Sequence, residues 1–348
     1  MPGPESIGPA SRNATIHEAG TMLPGSDARF LATAPSDGNT RIARGTPHPE
    51  GSLQPHCALF FREKIAHYSA LMSTHPITVY RAPEGLVALR GEEYFHVPGA
   101  SFDQLFTEAH PADWLGAQLA QAAPDVRPAQ LLAPLQSQEV WAAGVTYLRS
   151  RDARMEESQD AGGGTFYDRV YAADRPELFF KATPHRVVAP GASMRLRSDA
   201  KWNVPEPELA LAISSRGAIF GYTIGNDLSS RDIEGENPLY LPQAKVWSQC
   251  CALGPGLVVR DPLPRETAIT LTILRGDQTA FHGATSLARM KRTLPELAEW
   301  LLRDNHFPAG CYLLTGTGTV PPNDFTLASA DEMHIHIDGL GTLVNTIA

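Results

Sequence analysis

Apolar residues in this chain fall in short runs separated by glycine, proline, asparagine and aspartate, and few of the runs have a helical period. The runs Ile77-Thr78-Val79-Tyr80-Arg81 and Gly85-Leu86-Val87-Ala88-Leu89 predict a strand pair, with Ala82-Pro83-Glu84 as its turn. Further strands are predicted at Val187-Val188 and from Leu209 to Ile213, Ile219 to Ile224, Leu257 to Val259, Ala268 to Leu274, Tyr312 to Leu314 and Met333 to Ile337. Helical spacing is confined to Phe102 to Phe106, Trp114 to Ala122 and Leu294 to Asp304. The last of these lines up Leu294, Leu297, Ala298, Leu301 and Leu302 on one face. Strands and helices do not alternate, which argues against a barrel or doubly wound sheet built from βα units. The expected class is α+β and β-rich. A small N-terminal α/β domain (56–135) is expected before a larger catalytic domain (136–348). Residues 1–55, rich in Pro, Gly, Ser, Thr and Asn, are expected to be a disordered or appended extension.

Composition narrows the possible partners. The chain has 348 residues, 43% of them hydrophobic, and a formal charge of −9 with no clustered Lys/Arg face, so a nucleic-acid footprint is not expected. No apolar run approaches the ~18 residues that span a bilayer. The first residues lack the basic-then-apolar order of a signal peptide, and the expected location is cytoplasmic, with no membrane partner. Cys57, Cys250, Cys251 and Cys311 form no C-x-x-C pair and are expected to be reduced, buried thiols. Gly162-Gly163-Gly164 does not open a helix after a strand. Thr315-Gly316-Thr317-Gly318 lacks a phosphate-loop lysine, so neither glycine run indicates a nucleotide.

Carboxylates give the first chemical signal. Glu206 and Glu208 lie two residues apart at the head of an apolar run, so in a strand they project from one face. Asp227 ends the next strand-like stretch. Three oxygen donors without Cys or His suit Mg²⁺, Mn²⁺ or Ca²⁺ better than Zn²⁺.

An ordered set of motifs from Val140 to the C-terminus resembles the fumarylacetoacetate hydrolase family. It comprises Ala143-Gly144-Val145-Thr146-Tyr147, Phe180-Lys181, Glu206-Pro207-Glu208, the run from Gly221 to Asp232, Lys245, Gly254-Pro255 and Thr315-Gly316-Thr317. Three stretches resemble especially the 2-keto-3-deoxy-pentonate dehydratases of that family, the D-arabinonate type among them: Tyr167 to Tyr171, Arg175 to Pro184 and Glu234 to Lys245. The resemblance implies a mixed β-sheet roll after a small N-terminal domain, assembled as a homodimer or homotetramer. It also implies a Mg²⁺ cofactor, with Mn²⁺ as the substitute, held by Glu206, Glu208 and Asp227. The implied reaction removes water from a 2-keto-3-deoxy-D-pentonate to give 2,5-dioxopentanoate. The alternative is a metal-dependent C–C hydrolase or decarboxylase acting on acylpyruvates, oxaloacetate or a diketo-deoxy sugar acid. Hydrolases of the family activate water with a histidine near the segment matching Thr146 to Asp152. That segment contains no histidine here, which favours dehydration.

Glu177, flanked by Pro176, Leu178 and Phe179, is the expected proton shuttle, because apolar neighbours raise a carboxyl pKa. On pattern alone it would be a surface or capping glutamate. Lys181 and Lys245 are expected to donate to the keto acid as it gains negative charge. Arg149 and Arg151, in a loop that closes over the site in the family, are expected to pair with substrate carboxylate or hydroxyls. Thr315 and Thr342, at glycine-threonine turns, are further expected substrate contacts. The charged residues Arg154, Glu156 and Glu157 are expected to belong to a mobile lid.

Overall fold

The computed structural model describes residues 76–157 and 164–348, so the expected extension 1–55, Cys57 and residues 158–163 lie outside it. Strands Ile77–Ala82 (β1) and Gly85–Arg90 (β2) pair antiparallel around a Pro83-Glu84 turn, and Glu93–Val97 (β3) adds to β2. Two short helices follow, Phe102–Thr107 (α1), N-capped by the Ser101 side chain, and Pro111–Leu119 (α2). Next come strand Glu139–Gly144 (β4) and two helices, Leu148–Glu157 (α3) and Gly164–Ala172 (α4). Strands Glu177–Ala182 (β5), Pro207–Ile213 (β6) and Ile219–Asp227 (β7) precede helices Arg231–Glu236 (α5) and Leu241–Lys245 (α6). The chain continues through Cys251–Val259 (β8), Ala268–Arg275 (β9), Gln278–Ser286 (β10) and helix Leu294–Leu302 (α7). It ends with Cys311–Leu314 (β11), Glu332–Ile337 (β12) and Gly341–Ile347 (β13).

One long mixed sheet runs from residues 124–125 through β3, β2, β1, β8, β7, β6, β11 and β4 to β5. Its pairings are antiparallel except β11 with β4 and β8 with Val187-Val188. A second sheet, in the order β10, β9, β12, β13 and Ser193-Met194, packs on one face of the first. Along β6 every residue is buried. Leu209, Leu211 and Ile213 pack toward Leu271, Ile273 and Ile335 of the second sheet, while Ala210 and Ala212 face the cluster that holds Phe102, Leu105 and Phe106 of α1. Covering on both faces explains why this strand reads as a continuous apolar run. Helix α7 begins with a Thr293/Glu296 capping box, and its predicted stripe of Leu297, Ala298 and Leu301 is buried.

Residues on the two sides of position 135 share this architecture: β1 pairs with β8 (Ile77 opposite Val259), and Leu135 and Val140 lie in one apolar cluster. Cys250, Cys251 and Cys311 are buried free thiols, as expected. The stretch expected as a mobile lid is helical from Leu148 to Glu157. Among the described residues no helix is long and apolar enough to cross a membrane.

Candidate active site

Antiparallel pairing of β6 and β7 assembles the carboxylates. Glu208 stands opposite Gly225, and the Asp227 amide donates to the Glu206 carbonyl at 3.0 Å, so Glu206 and Asp227 face each other across the ladder with Glu208 on the diagonal. One oxygen from each of the three lies within 4.8 Å of the others, and all three residues are buried.

Cations crowd two of the three. Lys245 Nζ is 2.8 Å from Glu206 Oε2, 3.2 Å from Asp227 Oδ2 and 2.6 Å from Ser229 Oγ. Arg231 reaches Glu206 Oε1 at 3.1 Å, and Lys181 Nζ lies 2.5 Å from Asp227 Oδ1. Burial alone would raise the Glu206 pKa, but Lys245 and Arg231 hold it well below the ordinary carboxylate range. Glu208 goes the other way: burial, then the charges of Asp227 and Glu206, raise its pKa. Its Oε2 accepts one backbone hydrogen bond, 2.6 Å from Gly316 N. That amide is aimed by a glycine at φ +90°, where a Cβ would lie 2.0 Å from Thr146 Oγ1. A buried carboxylate with like charges beside it and no ion pair among the described residues fits a dication site, and the all-oxygen donor set fits a hard cation.

Glu177 occupies the rim. Its partner across the β4–β5 ladder is Gly144, and a Cβ at 144 would lie 2.0 Å from Glu177 Oε2, so the glycine makes room for the carboxyl. That oxygen is shut off from solvent and accepts no hydrogen bond among the described residues. Burial raises the Glu177 pKa against the opposing charge of Arg154, with Glu234 adding to the rise. Arg154, from α3, pairs with Glu234 Oε1 at 2.5 Å, and Lys245 Nζ is 3.6 Å from the same oxygen. A cavity of about 530 Å³ opens onto Glu177 and Glu234, with Tyr167, Arg169 and Leu178 in its wall. The five carboxylates Glu177, Glu206, Glu208, Asp227 and Glu234 face four buried cationic groups, Lys181, Lys245, Arg154 and Arg231, which leaves this set one negative charge in excess when all are ionised.

The structure thus brings together Glu177, Lys181, Glu206, Glu208, Asp227 and Lys245. Lys181 is fully buried, with Asp227 Oδ1, Leu228 O and Lys245 O all within 2.9 Å, so its three hydrogens face protein groups. Thr315 adjoins the site, but its hydroxyl donates to Leu209 O at 3.0 Å. Arg149 and Arg151 point elsewhere. Arg149 pairs with Glu156 at 3.5 Å, while Arg151 pairs with Asp152 at 2.7 Å and stacks on Tyr171. Thr342 is exposed on the second sheet, 3.0 Å from His336 Nδ1. Sequence reasoning placed Arg154 in a mobile lid rather than in the site, and gave Glu234 no part in the chemistry. For Glu234 a signal existed, because it lies three residues after Arg231 on the same face of α5. For Arg154 there was none, since α3 has no apolar stripe.

The profile described as fumarylacetoacetate (FAA) hydrolase C-terminal matches residues 140–348. The chain belongs to this family. Among curated members, a probable 2-keto-3-deoxyxylonate dehydratase of Haloferax volcanii is 48% identical over 216 residues, covering 62% of this chain and 73% of its own. The 2-dehydro-3-deoxy-D-arabinonate dehydratase of Saccharolobus solfataricus is 44% identical over 217 residues, with the same coverage of 62% and 73%. A solved 2-keto-3-deoxy-D-arabinonate dehydratase, complexed with magnesium and 2,5-dioxopentanoate, superposes with a TM-score of 0.65 at 32% identity. It covers 78% of this chain and 98% of its own. The family fold is the one expected from the motifs.

Proposed function

We propose that this chain is a Mg²⁺-dependent hydro-lyase that converts a 2-keto-3-deoxy-D-pentonate to 2,5-dioxopentanoate and water. The observation that carries this reading is the buried Glu206, Glu208 and Asp227 cluster beside Glu177, in a family member 44–48% identical to proteins named for this reaction type. Mn²⁺ is the alternative metal. Glu206, Glu208 and Asp227 would hold the ion. When bound, the cation supplies positive charge against which a C2 carbonyl makes its C3 hydrogens acidic. It also turns the excess negative charge of the site into a positive one, which suits an anionic 2-keto acid.

Glu177 then acts as proton shuttle. Its carboxylate takes a proton from C3, and the carboxylic acid so formed returns a proton to the departing C4 hydroxyl, leaving water and a C3–C4 double bond. Moving a proton from C5 to C3 then gives the C4–C5 enol, and passing its hydroxyl proton to C4 leaves the C5 aldehyde. The carboxyl is poised for both roles because burial raises its pKa toward the working range. Lys245 donates toward the substrate oxygens, and Lys181 fixes Lys245 and Asp227 in place.

Hydrolysis of acylpyruvates is the second reading, and a general-base histidine is its requirement. None of the seven described histidines is buried. The division at 135/136 is proposed as one of labour, since all the site's charged residues follow it. A cytoplasmic homodimer or homotetramer is proposed as the working form, to be checked by light scattering. The decisive assay compares 2,5-dioxopentanoate formation from 2-keto-3-deoxy-D-pentonate with acylpyruvate cleavage, each with Mg²⁺ and with EDTA. Product above the EDTA control from the first substrate only supports the dehydratase, and its absence overturns it.

A further inference from the structure

Four oxygens surround the Lys245 ammonium: Ser229 Oγ at 2.6 Å, Glu206 Oε2 at 2.8 Å, Asp227 Oδ2 at 3.2 Å and Glu234 Oε1 at 3.6 Å. Two of them belong to the carboxylates that would hold a dication, so ammonium and dication compete for the same charges. Lys245 is fully buried and has no water into which to withdraw. Displacing it from Glu206 and Asp227 without another counter-charge would leave a buried, unpaired cation, which is strongly unfavourable.

Glu234 meets that need. It is 1% exposed and sits on α5, beside Lys245, and its Oε2 has no hydrogen-bond partner among the described residues. Arg154 pairs with its Oε1 at 2.5 Å, the same oxygen that Lys245 approaches at 3.6 Å. The carboxylate is therefore anchored by one oxygen and has capacity on the other. We propose that Glu234 is a positioning residue that takes up the Lys245 ammonium when a divalent cation binds Glu206, Glu208 and Asp227. This rests on the dication reading above. It also gives Arg154 a part: by fixing Glu234 from α3, it keeps the acceptor turned toward Lys245.

Titration calorimetry of the full-length protein with Mg²⁺ tests the inference, using variants with cooperative thermal melts. Glu234→Gln and Glu234→Asp both weaken Mg²⁺ binding, by roughly 10- to 100-fold, the range for partners just behind metal ligands. The aspartate keeps the charge but sets the carboxylate back by one methylene, so a mere field effect would leave its affinity at the wild-type value. In a Lys245→Met background, adding Glu234→Gln changes affinity by less than about threefold, because the ammonium that needed a home is gone. Wild-type affinity in Glu234→Asp, or a full Glu234→Gln loss that persists without Lys245, overturns the proposal. Should Lys245→Met fail to melt cooperatively, Glu234→Asp decides alone. A wild-type protein that takes up no Mg²⁺ overturns the dication reading and this inference with it. Mg²⁺ uptake by the wild type with additive variants overturns this inference only.

Discussion

The strand pair β6–β7 and the helix pair α3–α4 both bring charge to the site, in opposite ways. On the strands, an antiparallel ladder buried on both faces fixes Glu206, Glu208 and Asp227 to within 4.8 Å of one another, so the backbone register sets the geometry. On the helices most charges pair locally, Arg149 with Glu156 and Arg151 with Asp152 and Asp168, while Arg154 is buried against Glu234. The comparison teaches that reactive groups placed by a sheet are determined by alternation, whereas those placed by a polar helix depend on which side chain finds a buried partner.

The sharpest break in that comparison comes from the strands. Asp227→Asn is expected to abolish measurable Mg²⁺ uptake and reduce turnover to background, read by calorimetry and product assay. Glu177→Gln is expected to lower kcat by roughly 10²–10⁴-fold, the usual contribution of a positioned acid–base group, with 2-keto acid binding retained. The pH profile gives the sign: a base must be ionised, so kcat falls as pH falls through the Glu177 pKa. That acid limb lies above the ordinary glutamate value of 4.5, because burial raises the pKa, and Glu177→Gln removes the limb. Lys181→Met leaves Asp227 and two carbonyls without their buried cation and is expected to cost about 3–5 kcal/mol of stability, seen as a lower Tm. The smallest effects belong to the helix surface and the second sheet: Arg149→Ala and Thr342→Ala are expected to change kcat/KM by less than about threefold. A tenfold loss in either would mean that the groups pairing locally on these elements also reach the substrate.

The same contrast explains what could be read in the sequence. Leu209 to Ile213 and Ile219 to Ile224 were legible as strands because they are continuous apolar runs, and the spacing of Glu206 and Glu208 then placed both on one face. Strand β10 was not legible, since most of Gln278–Ser286 is exposed and its apolar residues have no one-sided pattern. Helix α3 was equally hidden, with a composition so polar that its buried Ala153 and Arg154 leave no stripe. Glu177 could be singled out by its apolar flanks, but the space made for it by Gly144 depends on a cross-strand pairing that no local signal encodes.

The central claim, that Glu177 removes a proton next to a keto group activated at the carboxylate cluster, can be isolated from dehydration. Pyruvate carries methyl hydrogens at the position of C3 and has no hydroxyl to expel. Proton NMR in D₂O with wild-type protein and Mg²⁺ is predicted to show loss of the methyl signal at a protein-dependent rate, abolished by EDTA and by Glu177→Gln. Exchange at the wild-type rate in Glu177→Gln would contradict the account.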